Sequence, residues 1–153
     1  MKRIFFLCVI LLTGLLARGQ TAGSPGDGYQ VFKYPNGTVS SEGVLKNGKP
    51  DGFWISYYVT GIKKSEGKYT SFQLDSIWIF FDQAGDTLEK INYLFGKRNG
   101  YSFKYGTDPS EGLIVKSKEL YAGDRKEGLA YFYFPDGKIQ QTLAYNEGKI
   151  DGL

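Results

Sequence analysis

The chain contains no histidine, one cysteine and one methionine, and the last two, Cys8 and Met1, both lie in its first twenty residues. These shortages exclude whole chemistries. Without histidine there is no Ser-His-Asp or Cys-His nucleophile system, and zinc sites built on cysteine or histidine lack their ligands. One cysteine cannot close an intramolecular disulfide, so an oxidising compartment would supply no staple. Long apolar runs are scarce as well. The one candidate, Ile4 to Leu16, is interrupted by Thr13 and Gly14 and falls short of the roughly 20 residues that a membrane-spanning helix needs.

That run follows Lys2 and Arg3 and precedes Ala17-Arg18-Gly19. A positive start, an apolar stretch and small residues at a cleavage site predict a secretory signal peptide over residues 1–19, cut before Gln20. An uncleaved anchor is the alternative, and the shortness of the run argues against it. Cys8 invites a lipoprotein reading, but Leu7 stands where a small residue is required and the cysteine sits inside the apolar core. Export to a bacterial periplasm or beyond is the expectation.

Cleavage changes the electrostatics. Lys2, Arg3 and Arg18 leave with the leader, so 19 basic residues become 16 against 16 acidic ones. A neutral mature chain lacks the net basic charge that a nucleic-acid partner demands and the polybasic cluster that an anionic membrane demands. The expectation is a protein partner, no nucleic acid and no membrane association after cleavage, with the oligomeric state open.

What the chain has in abundance is glycine and aromatics: 21 Gly, 12 Tyr, 11 Phe and 2 Trp. They are periodic. Aligning Gly28, Gly52, Ser76, Gly100, Gly128 and Gly152 gives steps of 24, 24, 24, 28 and 24 residues. Each unit opens on an aromatic-rich run, turns near its tenth position and returns to a second, polar turn. Inner turns stand at Pro35-Asn36-Gly37, Thr60-Gly61, Ala84-Gly85 and Pro135-Asp136-Gly137; closing turns follow Lys46, Phe95 and Tyr145. Turn residues at fixed spacing between β-branched and aromatic runs predict tandem hairpins. Alternation, with no recurrence at three and four, rules out a helical reading.

The period-2 pattern separates two faces. Tyr29, Phe53, Ile77, Tyr101 and Leu129 open one face, with Val31, Ile55, Ile79, Phe103 and Tyr131 behind them. This face is expected to be the core, joined by Leu45, Tyr69, Tyr93, Tyr121 and Tyr145 from the returning strands. The other face carries Phe32, Tyr34, Trp54, Tyr58, Trp78, Phe80, Phe132 and Phe134. These eight are the candidate binding face, because exposed aromatic patches mark interaction sites. The alternative is that the sheet curls over them, or that they form a second small core layer.

The segments G-F-W-I-S-Y-Y-V-T-G-I-K-K-S-E-G-K-Y (52–69) and G-L-A-Y-F-Y-F-P-D-G-K-I (128–139) resemble the bacterial variant of the MORN repeat. The resemblance covers residues 28–153 and is strongest in the second and fifth units. It departs from the pattern at Ser76, which replaces an opening glycine, at Phe72, which stands where closing turns mostly carry glycine, and in four extra residues within 106–113 of the fourth unit. It implies an all-β, elongated, twisted antiparallel sheet of tandem hairpins with a 24-residue period, serving as a non-catalytic binding or scaffold module without cofactor or metal. It also implies a possible antitoxin-like role, since some bacterial relatives are so described.

Other features weigh less. Asp51, Asp75, Glu127 and Asp151 close units, and Glu42 and Glu66 share one offset. Repetition in several units favours turn chemistry and pairing with Lys49, Lys63, Lys97, Arg125 and Lys149 over a two-carboxylate hydrolase, which needs one pair in two different environments. The insertion at 106–113 interrupts a regular array and is a candidate functional loop. A cell-envelope carbohydrate binder using exposed Trp and Tyr is a further reading. Residues 20–27 read as a flexible leader. The chain stops at Asp151-Gly152-Leu153, where a sixth unit would begin, which is expected to reflect truncation or an end that meets a partner.

Overall fold

The computed structural model describes residues 26–151. The predicted signal peptide and most of the leader lie outside them. Among the described residues every regular element is a strand. The first hairpin joins β1 (Gly28–Lys33) to β2 (Val39–Lys46), the second β3 (Lys49–Tyr57) to β4 (Lys63–Thr70), and the third β5 (Gln73–Phe81) to β6 (Thr87–Leu94). The fourth joins β7 (Lys97–Asp108) to β8 (Gly112–Ala122). The fifth runs from β9 (Arg125–Lys126) and β10 (Gly128–Tyr133) to β11 (Ile139–Asn146), and β12 (Lys149–Ile150) follows. Successive strands pair antiparallel in a single open sheet, with β10 beside β8 and the short β9 also on β8.

Two turn types alternate along the ribbon. Inner turns such as Pro35-Asn36-Gly37 are closed by Tyr34 N–H donating to the Thr38 carbonyl at 2.8 Å and Gly37 N–H donating to Tyr34 at 2.9 Å. A third loop residue with positive φ, here Gly37 at +88°, is the mark of a type I turn with a bulge. Closing turns are two-residue loops with both φ values positive: Asn47-Gly48, Ser71-Phe72, Phe95-Gly96, Gly123-Asp124 and Glu147-Gly148. That is the type I′ geometry whose twist matches the flanking strands. Phe72 therefore occupies a left-handed position at φ +68° that other closing turns give to glycine or aspartate.

The opening position of each unit is left-handed too. Gly28, Gly52, Gly100 and Gly128 have φ between +64° and +105°, and Ser76 takes the same place at +59°. The four-residue insertion is not a free loop. It lengthens the fourth hairpin, so that β7 has 12 residues and β8 has 11, against nine and eight in the second unit. Its added pairs include Thr107 with Leu113 and Asp108 with Gly112.

Units are locked to their neighbours by polar contacts that span about one repeat. Tyr34 donates its hydroxyl to the Tyr57 carbonyl at 2.7 Å, and Tyr58 does the same to Phe81 at 2.8 Å. Backbone amides of closing turns are capped by carboxylates from the adjoining unit: Gly48 by Asp27, Arg98 by Asp124 and Glu147 by Glu127. Such next-neighbour contacts are what stabilises a repeat array.

The opening positions reverse the sequence expectation, whereas Leu45 and Tyr121 are buried as expected and the tryptophan side follows the alternative of a packed layer. Trp78 is 4% exposed, and Leu45, Ile91, Tyr121 and Ala130 are buried with it. Tyr29, Phe53, Ile77, Tyr101 and Leu129, expected in the core, are instead 46% to 63% exposed. The cause lies in register. Tyr69 pairs with Gly52, and Gly67 with Trp54, so the returning-strand tyrosines fall on the tryptophan side. A shift of one residue in pairing sends a side chain to the opposite face.

Candidate binding surface

The tryptophan face is built around missing side chains. Gly43 and Gly67 stand opposite Trp54, and Trp78 lies against Gly67. A β-carbon on Gly43 would overlap the Trp54 indole, and one on Gly67 the Trp78 indole. Large rings then lie flat across bare backbone, and Trp78 donates its indole N–H to the Lys68 carbonyl at 3.0 Å. Across strands the rings form a continuous file. Phe32 and Trp54 are 6.2 Å apart, Trp54 and Tyr69 6.4 Å, Tyr69 and Trp78 5.0 Å, Trp78 and Phe80 6.2 Å. These separations fit edge and tilted aromatic pairing, each adding about 0.5–1.5 kcal/mol beyond area burial.

Of the eight aromatics marked in the sequence, Phe32, Trp54, Trp78 and Phe80 are brought together in this file. Tyr34 and Tyr58 serve as the inter-unit clamps. Phe132 faces Ser117 from the fifth unit, apart from the file, and Phe134 is 46% exposed at the tip of that hairpin. Packing on one another is what the geometry gives these side chains.

Further along the same face the glycine position is filled differently. Ile91 lies opposite Ser102, and Ser102 opposite Glu119. Glu119 is buried. It accepts the Tyr121 hydroxyl at 2.7 Å and pairs with Lys126 at 3.0 Å. Burial works to raise its carboxyl, but the Tyr121 and Lys126 hydrogen bonds and the charges of Lys126 and Lys104 outweigh it and hold the group below the usual range. Tyr121 is pushed up in turn, by burial and by the same carboxylate.

The opposite face is open and largely apolar. Its outer row is the exposed stripe from Tyr29 to Leu129. Its middle row carries four charges: Glu42 on β2, Glu66 on β4, Lys90 on β6 and Lys118 on β8. Tyr57 donates to Glu42 at 2.6 Å, and that bond, with burial, pushes the Tyr57 phenol up to about 12. Glu66 holds Lys63 at 2.7 Å. Lys90 and Lys118 lie over the rings of Tyr105 and Tyr101, at 5.6 and 4.3 Å from the centroids, within cation–π range.

Two grooves indent this face. One, of about 320 Å³, runs between Ile77, Lys90, Tyr101, Phe103 and Tyr105. The other, of about 470 Å³, lies between the lengthened fourth hairpin, at Leu113 and Val115, and the fifth unit's turn at Tyr133 and Pro135. The inserted residues thus form a wall of a groove. Among the described residues, no group of three acidic, cysteine or histidine side chains could hold a metal ion. Of the repeated carboxylates, Asp75 accepts the Thr70 hydroxyl at 3.0 Å and Glu127 caps a backbone amide.

The exposed stripe was assigned to the wrong role in the sequence, although a signal was present. Glycines at 43 and 67, one repeat apart on returning strands, mark the side where a large ring must cross the backbone. The charge row was also legible, as Glu42, Glu66, Lys90 and Lys118 recur at steps of 24, 24 and 28.

A family model described as the MORN repeat variant matches residues 126–147, the fifth hairpin. Repeats of this family are generally non-catalytic and support a binding or scaffold role. Among curated proteins, none matches the chain.

Proposed function

We propose that the chain is built throughout from MORN-type repeats, of which the fifth hairpin matches the family model, and that it is a non-catalytic protein-binding or scaffold module, exported to the bacterial cell envelope, that binds through the face opposite its tryptophans. One observation carries this reading. The first outward position of all five units is apolar and 46% to 63% exposed, from Tyr29 through Phe53, Ile77 and Tyr101 to Leu129. An apolar stripe of this kind, interrupted at Lys68 and Asn92, is uncommon on a surface that meets only water. Aromatic members with few rotatable bonds suit an interface, because ordering them costs little entropy. The row of charges beside the stripe supplies orientation rather than bulk affinity.

The test is a pull-down from envelope extract with the intact chain and with a Phe53→Ser/Tyr101→Ser variant. The binding reading expects proteins retained by the intact chain and released by the variant. Equal recovery by both would remove the stripe from the account. A toxin-neutralising role would appear in the same experiment as one dominant partner in a tight one-to-one complex.

A further inference from the structure

The charges on the open face follow an order along the sheet that their contacts within one chain, Glu42 with Tyr57, Glu66 with Lys63 and the two lysines over tyrosine rings, do not account for. Glu42 and Glu66 belong to the first two units, and Lys90 and Lys118 to the next two, all in one mid-strand row. Nine strands of the sheet, β1 to β8 and β10, centre on β5, with β11 and β12 beyond them at one end. A two-fold axis lying between two such sheets, parallel to the strands and through β5, sets β4 opposite β6 of the other copy and β2 opposite β8.

Under that operation every acid meets a base. Glu66 faces the other copy's Lys90, and Glu42 faces its Lys118. The remaining positions match as well. In the outer row Phe53 meets Tyr101, Val44 meets Leu120, Tyr29 meets Leu129, and Ile77 meets its own equivalent. In the middle row Ile55 meets Phe103 and Ile79 meets itself. Lys68 meets Asn92, so no like charges oppose one another among these pairs; Asp75, opposite Lys68 on β5 and held by the Thr70 hydroxyl, lies beyond Ile77 on the axis. Moving the axis to β4 would set Glu66 against Glu66, and moving it to β6 would set Lys90 against Lys90. An axis across the strands would set each charge against its own copy. The row therefore selects one arrangement.

From this complementarity we infer that the partner of the open face is a second copy of this chain, packed face to face about a two-fold axis on β5. The inference rests on the stripe being a binding surface, as proposed above, and names its occupant. The interface is isologous, the commonest kind in soluble oligomers. Nine strands at about 4.8 Å and three residue rows give a patch of roughly 40 by 20 Å, or about 800 Å² per copy, the size of a standard specific interface. Sheets that twist in the same hand can wind about a common axis and keep this register. Like-charge juxtaposition excludes the shifted registers.

Sedimentation equilibrium of the purified chain tests it. The intact chain is expected at the mass of two copies. A Glu42→Lys/Glu66→Lys variant and a Lys90→Glu/Lys118→Glu variant are each expected to be monomeric, because every facing pair becomes repulsive. Mixed in equal amounts they should associate again, since four opposite pairs form between an all-basic and an all-acidic row. Recovery on mixing also establishes that both variants are folded. A monomeric intact chain overturns the inference, as do reversed variants that dimerise alone or a mixture that stays monomeric. If the intact chain is monomeric yet the stripe still retains an envelope protein, the two-fold partner is wrong and the binding reading stands.

Discussion

Trp78 lies against the bare backbone of Gly67, in the space a side chain there would occupy. Gly67 has no positive φ, so what this position requires is absence of bulk. Gly67→Ala is expected to destabilise the fold by about 2–3 kcal/mol, the upper part of the range for overpacking. Gly52 is the contrasting case, with φ +96° and only Val44 nearby at 3.8 Å. Gly52→Ala should cost about 1 kcal/mol through backbone strain alone. Denaturant unfolding of the two variants checks the order.

Ser76 holds a left-handed conformation that its counterparts Gly28, Gly52, Gly100 and Gly128 hold without a β-carbon. Ser76→Gly is expected to stabilise the chain by about 0.5–1 kcal/mol, strain relief exceeding the added freedom of the unfolded chain. Thermal unfolding should show a higher midpoint.

Much of this was legible from the sequence, and the limit is physical. Turn residues at a 24-residue step specify hairpins, and the same step marks Ser76 and Phe72 as irregular. Burial was not legible by alternation, because both faces of β3 and β5 are apolar: Phe53 and Ile55 on one, Trp54 on the other. What decides is pairing register within the ladder. There Tyr69 meets Gly52, not Phe53, and the returning tyrosines change sides. Four extra residues looked like a loop, but a hairpin absorbs added residues by extending its ladder.

Glu119 links stability to acid. Its folded carboxyl is held low by Tyr121, Lys126 and Lys104 against its burial. A depressed folded value stabilises above the ordinary carboxylate range of about 4.3, and the contribution is lost as pH falls through the folded value. Glu119→Gln should cost about 1–3 kcal/mol at neutral pH and flatten the loss of stability toward acid. Urea unfolding between about pH 3 and pH 7 reads both effects.

The two faces should respond oppositely to truncation. Trp78→Ala removes a buried indole and is expected to cost about 3–5 kcal/mol. Phe53→Ser, on the open stripe, should change stability by no more than about 1 kcal/mol. Circular dichroism melts of the two variants compare them directly.

The central claim is that the tryptophan side is packed and the stripe side is open. The chain has two tryptophans, Trp54 and Trp78, so Trp54→Phe leaves Trp78 as the sole indole emitter. Iodide quenching of that variant is the most direct measurement. Blue-shifted emission shielded from iodide is the predicted result. Red-shifted emission, quenched as freely as a tryptophan in the unfolded chain, would contradict the assignment of faces.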